Sequence, residues 1–457
     1  MKIEESIFKK YDIRGIADTE ITDEVAELLG KAYGTIMKGA DIIIGRDTRE
    51  SSDRIFAALT KGLMSCGCKV IDIGETVTPV FYYARVKYET EGGMMITASH
   101  NSAEYNGFKI GLGEATMHGE EIQNVLAVMK KGEFLEGKGS MEKREIEADY
   151  LQNLKDKIKI KKKMKVVVDC GNGTASLYAE KVLKEAYGME VVPMYCDIDP
   201  SFPNHEPDPV KEKNLQDLVK KVKEEKADIG LGFDGDADRL GVVDNEGNII
   251  WGDMMLILFF RELLAKYPGE LAIIEVKCSQ SLVDDVKAHG GKPMFYKTGH
   301  SHIKAKMLEE NAKLTGEMSG HMFFRDEYYG FDDAYYAAGR LLRILAENDK
   351  SLTEMLSDAP KYYATQEYRL AVSPESRKNE IVAELVEYFK TKYEVEDVDG
   401  ARVLFGDGWG LVRVSNTQPA IIFRAEGTTP EALEKNKKLM LDKLREYKEI
   451  DFADLEE

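Results

Sequence analysis

In Asp234-Gly-Asp-Ala-Asp-Arg239, carboxylates recur at every second position, directly after the apolar run Ile229-Gly-Leu-Gly-Phe233. Carboxylates so close together repel one another unless a cation sits among their oxygens. Hard divalent ions take oxygen ligands, and magnesium needs few from the protein because it keeps water and phosphate oxygens. An EF-hand opens in a similar way, but it needs glycine at its sixth position and glutamate at its twelfth, where Arg239 and Asn245 stand. The plain alternative is an acidic turn; a triple aspartate at the end of an apolar strand favours a divalent cation.

Thr97-Ala-Ser-His-Asn101 places Ser99 beside His100. Ser-His-Asn is also ordinary turn chemistry, and no Gly-x-Ser-x-Gly elbow surrounds the serine, which argues against an α/β-hydrolase. A serine that exchanges a phosphoryl group has other needs: a divalent cation to neutralise phosphate oxygens and cationic donors to stabilise the charge in transfer. The aspartate loop could hold the cation, and Arg239, Lys109 and Arg14 are candidate donors. Gly316-Glu-Met-Ser-Gly-His321 offers a carboxylate (Glu317), a hydroxyl (Ser319) and an imidazole (His321) that could hydrogen-bond a polyol such as a sugar; an ordinary glycine loop would look the same. Arg413-Val-Ser-Asn-Thr-Gln-Pro419 sets Arg413 beside Ser415, Asn416 and Thr417 on a tight turn able to donate to a phosphate. His300 lies in Lys297-Thr-Gly-His-Ser301, another glycine turn. Gly171-Asn-Gly-Thr-Ala-Ser176 lacks the third glycine of a dinucleotide loop, which excludes a Rossmann NAD site.

The elements that must position these residues form a weak internal repeat. Short apolar strands at Ile42–Ile44, Val166–Val168 and Ala272–Ile274 are each followed by a helical stretch. A glycine then ends the helix and a second strand begins: Gly67 into Val70–Ile73, Gly188 into Val191–Met194, Gly290-Gly291 into Met294–Tyr296. Strand, helix and strand recurring without hairpin turns predict three α/β units. Each unit then delivers a further apolar strand into one of the loops above, at the carboxyl end where α/β proteins bind ligands. The charged stretch from about Gly132 to Lys163 reads as a solvated connection between the first two units. Near the carboxyl end, strands at Gly410–Val414 and Ala420–Arg424 flank the Ser415–Pro419 turn, and Thr428-Thr-Pro-Glu431 opens a helix running to about Tyr447. This predicts a smaller α+β unit.

At about 150 residues per domain, 457 residues allow two to four domains. Apolar residues make up 43% and charged residues 32%, so several cores can form and disorder is excluded. Lysine and arginine total 63 against 82 aspartates and glutamates, a net charge of −19, which argues against nucleic-acid binding. An anionic ligand must therefore be held by a local cluster of cations. The longest apolar run, Met254–Phe260, is far short of the roughly 20 residues that span a bilayer. The charged start, Met1–Lys10, lacks the apolar core of a signal peptide, and the five cysteines read as reduced structural thiols; the expected location is cytoplasmic.

Taken together and in order, Tyr11-Asp-Ile-Arg-Gly15, Gly45-Arg-Asp-Thr-Arg49, Thr97-Ala-Ser-His-Asn101, Tyr105-Asn-Gly-Phe-Lys109, Asp234–Arg239, Lys297–Ser301, Gly316–His321 and Arg413-Val-Ser-Asn-Thr417 resemble the alpha-D-phosphohexomutase superfamily, in its bacterial phosphomannomutase/phosphoglucomutase branch. Any one motif is weak; the ordered set is specific and spans essentially the whole chain. The resemblance implies three similar α/β domains and a smaller C-terminal α+β domain around a central cleft, divided here at about 1–150, 151–255, 256–366 and 367–457. It implies a phosphorylated Ser99, Mg²⁺ on Asp234, Asp236 and Asp238 with a phosphoserine oxygen of Ser99 completing the site, and Arg239 against the reacting centre. His100 and Lys109 would serve proton transfer and phosphate contact. Glu317 and Ser319 would grip sugar hydroxyls, with Thr298, Gly299, His300 and His321 nearby. Arg413, Ser415, Asn416 and Thr417 would hold the non-reacting phosphate, and Tyr11, Arg14 and Lys277 match further contact positions.

The implied reaction interconverts hexose 1-phosphates and 6-phosphates through a hexose 1,6-bisphosphate that turns end for end. The partners would be hexose phosphates, with no nucleic acid and no membrane. Three positions depart from the family pattern or bear on it. Ser102 replaces the usual proline after Ser-His-Asn, which loosens that loop. His302 replaces a commoner apolar residue and reads as a surface change. Met318, where phosphoglucosamine mutases usually carry glutamine, favours the glucose/mannose branch. The competing readings are a phosphoglucosamine mutase, a metal-dependent phosphatase that loses its phosphoserine to water, and a non-catalytic sugar-phosphate binder.

Overall fold

The computed structural model describes residues 3–416 and 418–455. Its strands form four sheets, and one four-strand arrangement repeats in the first three. In the first sheet the neighbours run Tyr105–Leu112, Gly92–Ile96, Asp41–Arg46, Lys69–Glu75. In the second they run Leu240–Asp244, Ile229–Phe233, Lys165–Asp169, Glu190–Met194. In the third they run Met322–Phe324, Leu314–Gly316, Leu271–Glu275, Lys292–Tyr296. Each set thus holds its first, second and third strands in parallel, with the fourth strand returning antiparallel beside the third. The sequence pattern suggested units without hairpins. The antiparallel return is the difference, and it decides where the chemistry lies. The segment that carries the chain from third strand to fourth is the Ser99 loop in the first unit, the aspartate loop in the second and the Glu317 loop in the third. Three unlike motifs thus occupy one topological position.

The first strands read as unbroken β-branched runs because both sheet faces are covered: Ile42, Ile43 and Ile44, like Val166, Val167 and Val168, have no exposed surface. Gly67, Gly188 and Gly290 take positive φ where the preceding helix ends, as expected. The stretch 132–163 is more than a connection. Ser140–Lys143 adds a parallel edge strand to Lys69–Glu75, and the helix Glu147–Lys157 buries Tyr150 and Leu154. Tyr150 and Leu154 stand one helical turn apart among charged neighbours that dominate the segment's composition. The C-terminal sheet is antiparallel, and its last helix, Pro430–Leu444, is capped by Thr429, whose hydroxyl accepts from the Ala432 N–H.

One continuous apolar core runs through the first three units, from Ile43 and Phe81 through Val166 and Phe259 to Tyr336 and Leu345. The fourth unit has its own core around Leu385, Phe423 and Met440. It joins the third through Trp409, which packs with Val276. Arg402 lies on the Trp409 ring at 3.7 Å and donates to the carbonyls of Val276 and Cys278 at 2.6 and 2.8 Å. No described helix is long and apolar enough to cross a membrane.

Candidate active site

Ser99 is buried and holds φ at +53°, a left-handed conformation that costs a β-carbon residue about 1–2 kcal/mol. Arg49 holds the loop in that shape. Its guanidinium donates to the carbonyls of Ser99 (2.9 Å), Asn101 (2.6 Å), Ser102 (2.7 Å) and Tyr105 (3.1 Å), and to Asp47 (3.1 Å). The missing proline at position 102 therefore does not leave the backbone loose, because the Ser102 carbonyl is itself clamped. Arg14 braces the outer side, donating to Asn101 Oδ1 at 2.6 Å and to Asp12 at 2.5 Å.

The Ser99 hydroxyl donates to Asp234 Oδ2 of the second unit at 2.8 Å and lies 3.0 Å from His100 Nδ1. Gly235 permits this meeting, since a β-carbon there would lie 2.2 Å from the Ser99 carbonyl oxygen. Asp234, Asp236 and Asp238 are wholly buried, and one carboxylate oxygen from each lies within 4.8 Å of the others. Asp234 Oδ1 accepts from the N–H groups of Asp238 and Arg239, both at 3.0 Å, while Ala237 takes φ +60° to close the turn. Asp236 Oδ2 accepts from Thr78 at 2.5 Å and Lys109 at 2.6 Å, and Lys109 also pairs with Asp238. Burial, then the Asp238 and Asp236 charges, raise the Asp234 pKa well above its ordinary range. Burial also works against Asp238, but its pKa is held well below the usual range, by Lys109 above all.

Asp236 Oδ1 and Asp238 Oδ1 are buried without a hydrogen-bond partner among the described residues. Two orphaned hard oxygens in an all-carboxylate cluster are what a divalent cation satisfies, so the residues fit a metal. Lys109 is the cation of this cluster: burial opposes its charge, but Asp236 and Asp238 outweigh that and raise its pKa well above normal. Burial, then Arg239 and Arg14, push the His100 pKa well below 6.5, so its imidazole is neutral.

Arg239 crosses from the second unit to the third, where its Nε–H donates to His321 Nε2 at 3.0 Å. Arginine can only donate, so the His321 proton sits on Nδ1 and is given to Asp332 Oδ2 at 2.9 Å. His300 stacks on His321, centroids 5.2 Å apart, with its Nδ1 3.7 Å from Asp332. Burial lowers the His300 pKa to about 4. Glu317 accepts from the Gly299 N–H at 2.6 Å, and burial beside Glu275 pushes its pKa up to about 7. Gly299 is held at φ +128°, and a β-carbon there would strike the Tyr11 ring at 2.5 Å. Thr298 donates to Glu275 at 2.8 Å, and the Met318 N–H donates to the same carboxylate at 3.0 Å. Ser319 is half-buried on this loop and makes no hydrogen bond among the described residues.

From the fourth unit, Arg413 is buried and donates its Nε–H to Asp399 at 2.8 Å, while its Nη2 has no partner among the described residues. Ser415 accepts from the Gln418 N–H at 3.1 Å, and Asn416 reaches the Tyr11 hydroxyl of the first unit. Tyr11 in turn donates to the Thr298 carbonyl at 3.3 Å. Lys277 lies between Glu275 (3.2 Å) and Glu367 (3.0 Å), whose charges raise its pKa despite burial. Thr417 lies outside the described residues. His302 corrects another expectation. It is half-buried, edge-on to Tyr11 at 5.3 Å and to His118 at 5.0 Å, and so packs between first and third units rather than at the surface.

Arg49, Thr78, Glu275, Asp332, Asp399 and Glu367 also orient this site, and no role for them was read from sequence. Arg49 lay inside a quoted motif, Gly45–Arg49, and its charge beside a strand end was the available signal. The others carry no local pattern, since each acts on a residue brought near only by folding.

Comparison with known proteins agrees with this geometry. Family models described as phosphoglucomutase/phosphomannomutase alpha/beta/alpha domains I, II and III match residues 5–136, 148–247 and 251–363, and the C-terminal domain model matches 369–443. The chain is 43% identical over 443 residues to a phosphomannomutase/phosphoglucomutase of Pseudomonas aeruginosa, covering 96% of each chain. It is 42% identical over 442 residues to a phosphoglucomutase of Neisseria meningitidis, covering 95% of each. The crystal structure of a phosphoglucomutase/phosphomannomutase family protein from Burkholderia thailandensis superposes with a TM-score of 0.91 at 38% identity, covering 97% of this chain and 98% of that one. With the Ser99 loop seated on the aspartate loop, and family models matched along nearly the whole chain, this protein belongs to the bacterial phosphoglucomutase/phosphomannomutase branch of the alpha-D-phosphohexomutase superfamily, an isomerase family.

Proposed function

We propose that this enzyme interconverts the 1-phosphates and 6-phosphates of mannose and glucose, with Ser99 carrying the transferred phosphoryl group and Mg²⁺ held by Asp234, Asp236 and Asp238. The observation that carries the reading is the meeting of the Ser99 hydroxyl with Asp234 at 2.8 Å beside two orphaned aspartate oxygens. When bound there, the cation neutralises the non-bridging phosphate oxygens. Lys109 and Arg239 supply the remaining fixed positive charge around the phosphoryl group, without reorganisation. Neutral His100, 3.0 Å from the Ser99 hydroxyl, is placed to exchange its proton. Glu317 and Ser319 receive the sugar hydroxyls, with Gly299, Thr298, His300 and His321 shaping that wall. Arg413 offers its unpartnered Nη2 to the non-reacting phosphate, with Ser415, Asn416, Lys277, Tyr11 and Arg14 around it.

A hexose 1,6-bisphosphate presents either phosphate to one centre once it turns over, so one loop transfers and a distant loop anchors. Water must be kept from phospho-Ser99 during that turn. Phosphorus NMR with Mg²⁺, a catalytic amount of glucose 1,6-bisphosphate, and mannose, glucose or glucosamine 1-phosphate in separate tubes tests the reading. The expected result is conversion of the mannose and glucose esters to their 6-phosphates without inorganic phosphate. Conversion of the glucosamine ester alone, or release of free phosphate without isomerisation, overturns it.

A further inference from the structure

Two thiols that this reaction does not use lie in contact on the second unit. Cys170 follows the strand Lys165–Asp169, and Cys196 follows its parallel neighbour Glu190–Met194, with Asp169 opposite Met194 in the register. Their sulfurs are 3.4 Å apart, the Cys196 thiol donating to the Cys170 sulfur. The two are offset by one residue, since Cys170 follows Asp169 directly while Tyr195 stands between Met194 and Cys196. Closing the bond asks the sulfurs to move from 3.4 Å to about 2.05 Å. Both residues are free thiols; Cys170 is fully buried and Cys196 half-buried.

We propose that Cys170 and Cys196 form a reversible disulfide when the protein meets a peroxide, making this pair an oxidative modification site behind the aspartate loop. Cys196, the accessible thiol, attacks first. Its thiolate sulfur bonds one peroxide oxygen, the O–O bond breaks, and the leaving hydroxide takes up a proton as water. The Cys170 sulfur then attacks the resulting sulfenic acid, the S–O bond breaks and a second water leaves with the Cys170 proton. Two thiols are oxidised and one hydrogen peroxide is reduced to two waters. The hydrogen bond from Cys196, then burial, raise the Cys170 thiol pKa, so Cys170 is not the thiol that meets the peroxide and reacts through its contact with Cys196.

The place gives the bond its consequence. From Cys170 the chain turns at once into the loop that meets the first unit. The Gly171 N–H donates to Asp169 at 2.8 Å, the Asn172 N–H donates to the Tyr195 carbonyl at 2.8 Å, and the Thr174 hydroxyl accepts from the Thr48 N–H at 3.0 Å. Gly173 packs directly against Gly235, the glycine that lets the aspartate loop meet Ser99. A covalent tie between the two strand ends fixes the base of that loop.

The test treats the reduced full-length chain with hydrogen peroxide, alkylates the remaining thiols and maps peptides without reduction. The expected product is a monomer lighter by about 2 Da, the two thiol hydrogens, with the Cys170 and Cys196 peptides linked and dithiothreitol restoring both thiols. Cys196→Ser, a conservative change at a half-buried position, is expected to leave Cys170 alkylatable after the same treatment. Sulfinic acid at Cys196 with Cys170 still free, or a dimer linked through Cys196, overturns the proposal. The readout is mass rather than turnover, so either result stands apart from the reading of the enzyme's reaction.

Discussion

Replacing Arg49 by methionine tests whether the Ser99 loop is held or merely packed. Arg49 is 5% exposed, and its guanidinium serves the carbonyls of Ser99, Asn101, Ser102 and Tyr105 as well as Asp47. At a net of about 1 kcal/mol per hydrogen bond, the carbonyl contacts alone are worth about 4 kcal/mol. Breaking a buried ion pair by removing one partner costs about 3–5 kcal/mol, which agrees. Against this stands the left-handed Ser99, which relaxes by about 1–2 kcal/mol once released. The loop is therefore expected to leave its shape in the variant while the sheet beneath it persists. If the remaining ~2–3 kcal/mol of positioning is lost from the transition state, kcat/KM for glucose 1-phosphate falls by about 30- to 150-fold. Methionine fills much of the arginine's stem, so the loss lies in the fork and not in a cavity. Lysine keeps the charge but can serve only one or two of the carbonyls, so Arg49→Lys is expected to recover little. The assay is a coupled measurement of glucose 6-phosphate formation, with hydrogen exchange across 97–105 as a second readout. Activity of Arg49→Met within threefold of the parent, with exchange unchanged in that segment, would refute the clamp.

Ser99→Ala is expected to abolish turnover while calorimetry still detects sugar-phosphate binding; near-normal rates would remove Ser99 from the reaction. Arg413→Ala should weaken sugar-phosphate binding far more than divalent-cation binding, since its free Nη2 lies on the anchoring loop; unchanged affinity by calorimetry would exclude the anchor. Lys109→Met leaves Asp236 and Asp238 without their counter-charge, so stability in chelator should drop by about 3–5 kcal/mol and recover on adding Mg²⁺. Thermal melts with equal losses in chelator and in Mg²⁺ would contradict this. Glu367 is held at about 2 against an ordinary 4.5, because Lys277 and Arg369 outweigh its burial. Its contribution, about 3 kcal/mol gross, is therefore present above pH 4.5 and lost as pH falls toward 2. Glu367→Gln should flatten that acid limb of the stability curve, and an unchanged slope between those pH values would argue against it.

The sequence was most legible where function sits at strand ends. Ile229–Phe233 running into Asp234 announced a strand ending in an acidic loop, and the structure has the strand and, after it, three carboxylates close enough together to hold a cation. The repeated strand–helix–glycine–strand pattern was equally plain, because β-branched runs and helix-ending glycines are local signals. The antiparallel return strands were not: Leu240–Asp244 and Met322–Phe324 look like any short apolar stretch, and only pairing gives them direction. Nor could spacing reveal Thr78 on Asp236, which joins two domains, or Asp332 on His321 and Asp399 on Arg413, which lie closer in the chain but meet only once the intervening strands and turns have folded. Lys109 shows the same gap in electrostatic form. Its residue type permits a base or a fixed cation, and the two buried aspartates that favour the cation lie in another domain, out of reach of local sequence.

Those remote carboxylates also explain how so acidic a chain can serve an anion. Most cations of the site arrive already matched: Lys109 with Asp236 and Asp238, Arg14 with Asp12, Lys277 with Glu275 and Glu367, Arg413 with Asp399. Taken as charge alone, this pairing weakens attraction for a phosphate. What it supplies is direction. Each long side chain is fixed by one contact and presents its remaining N–H groups at a set place, so little ordering is left to do when the ligand arrives. A cleft lined with unpaired lysines would bind phosphate more strongly and hold it less selectively. A bisphosphate must present each end in turn to the same centre, so strong unpaired attraction at either end would hold it still. Matched pairs instead give donors that are oriented but only partly satisfied, as the unpartnered Nη2 of buried Arg413 illustrates.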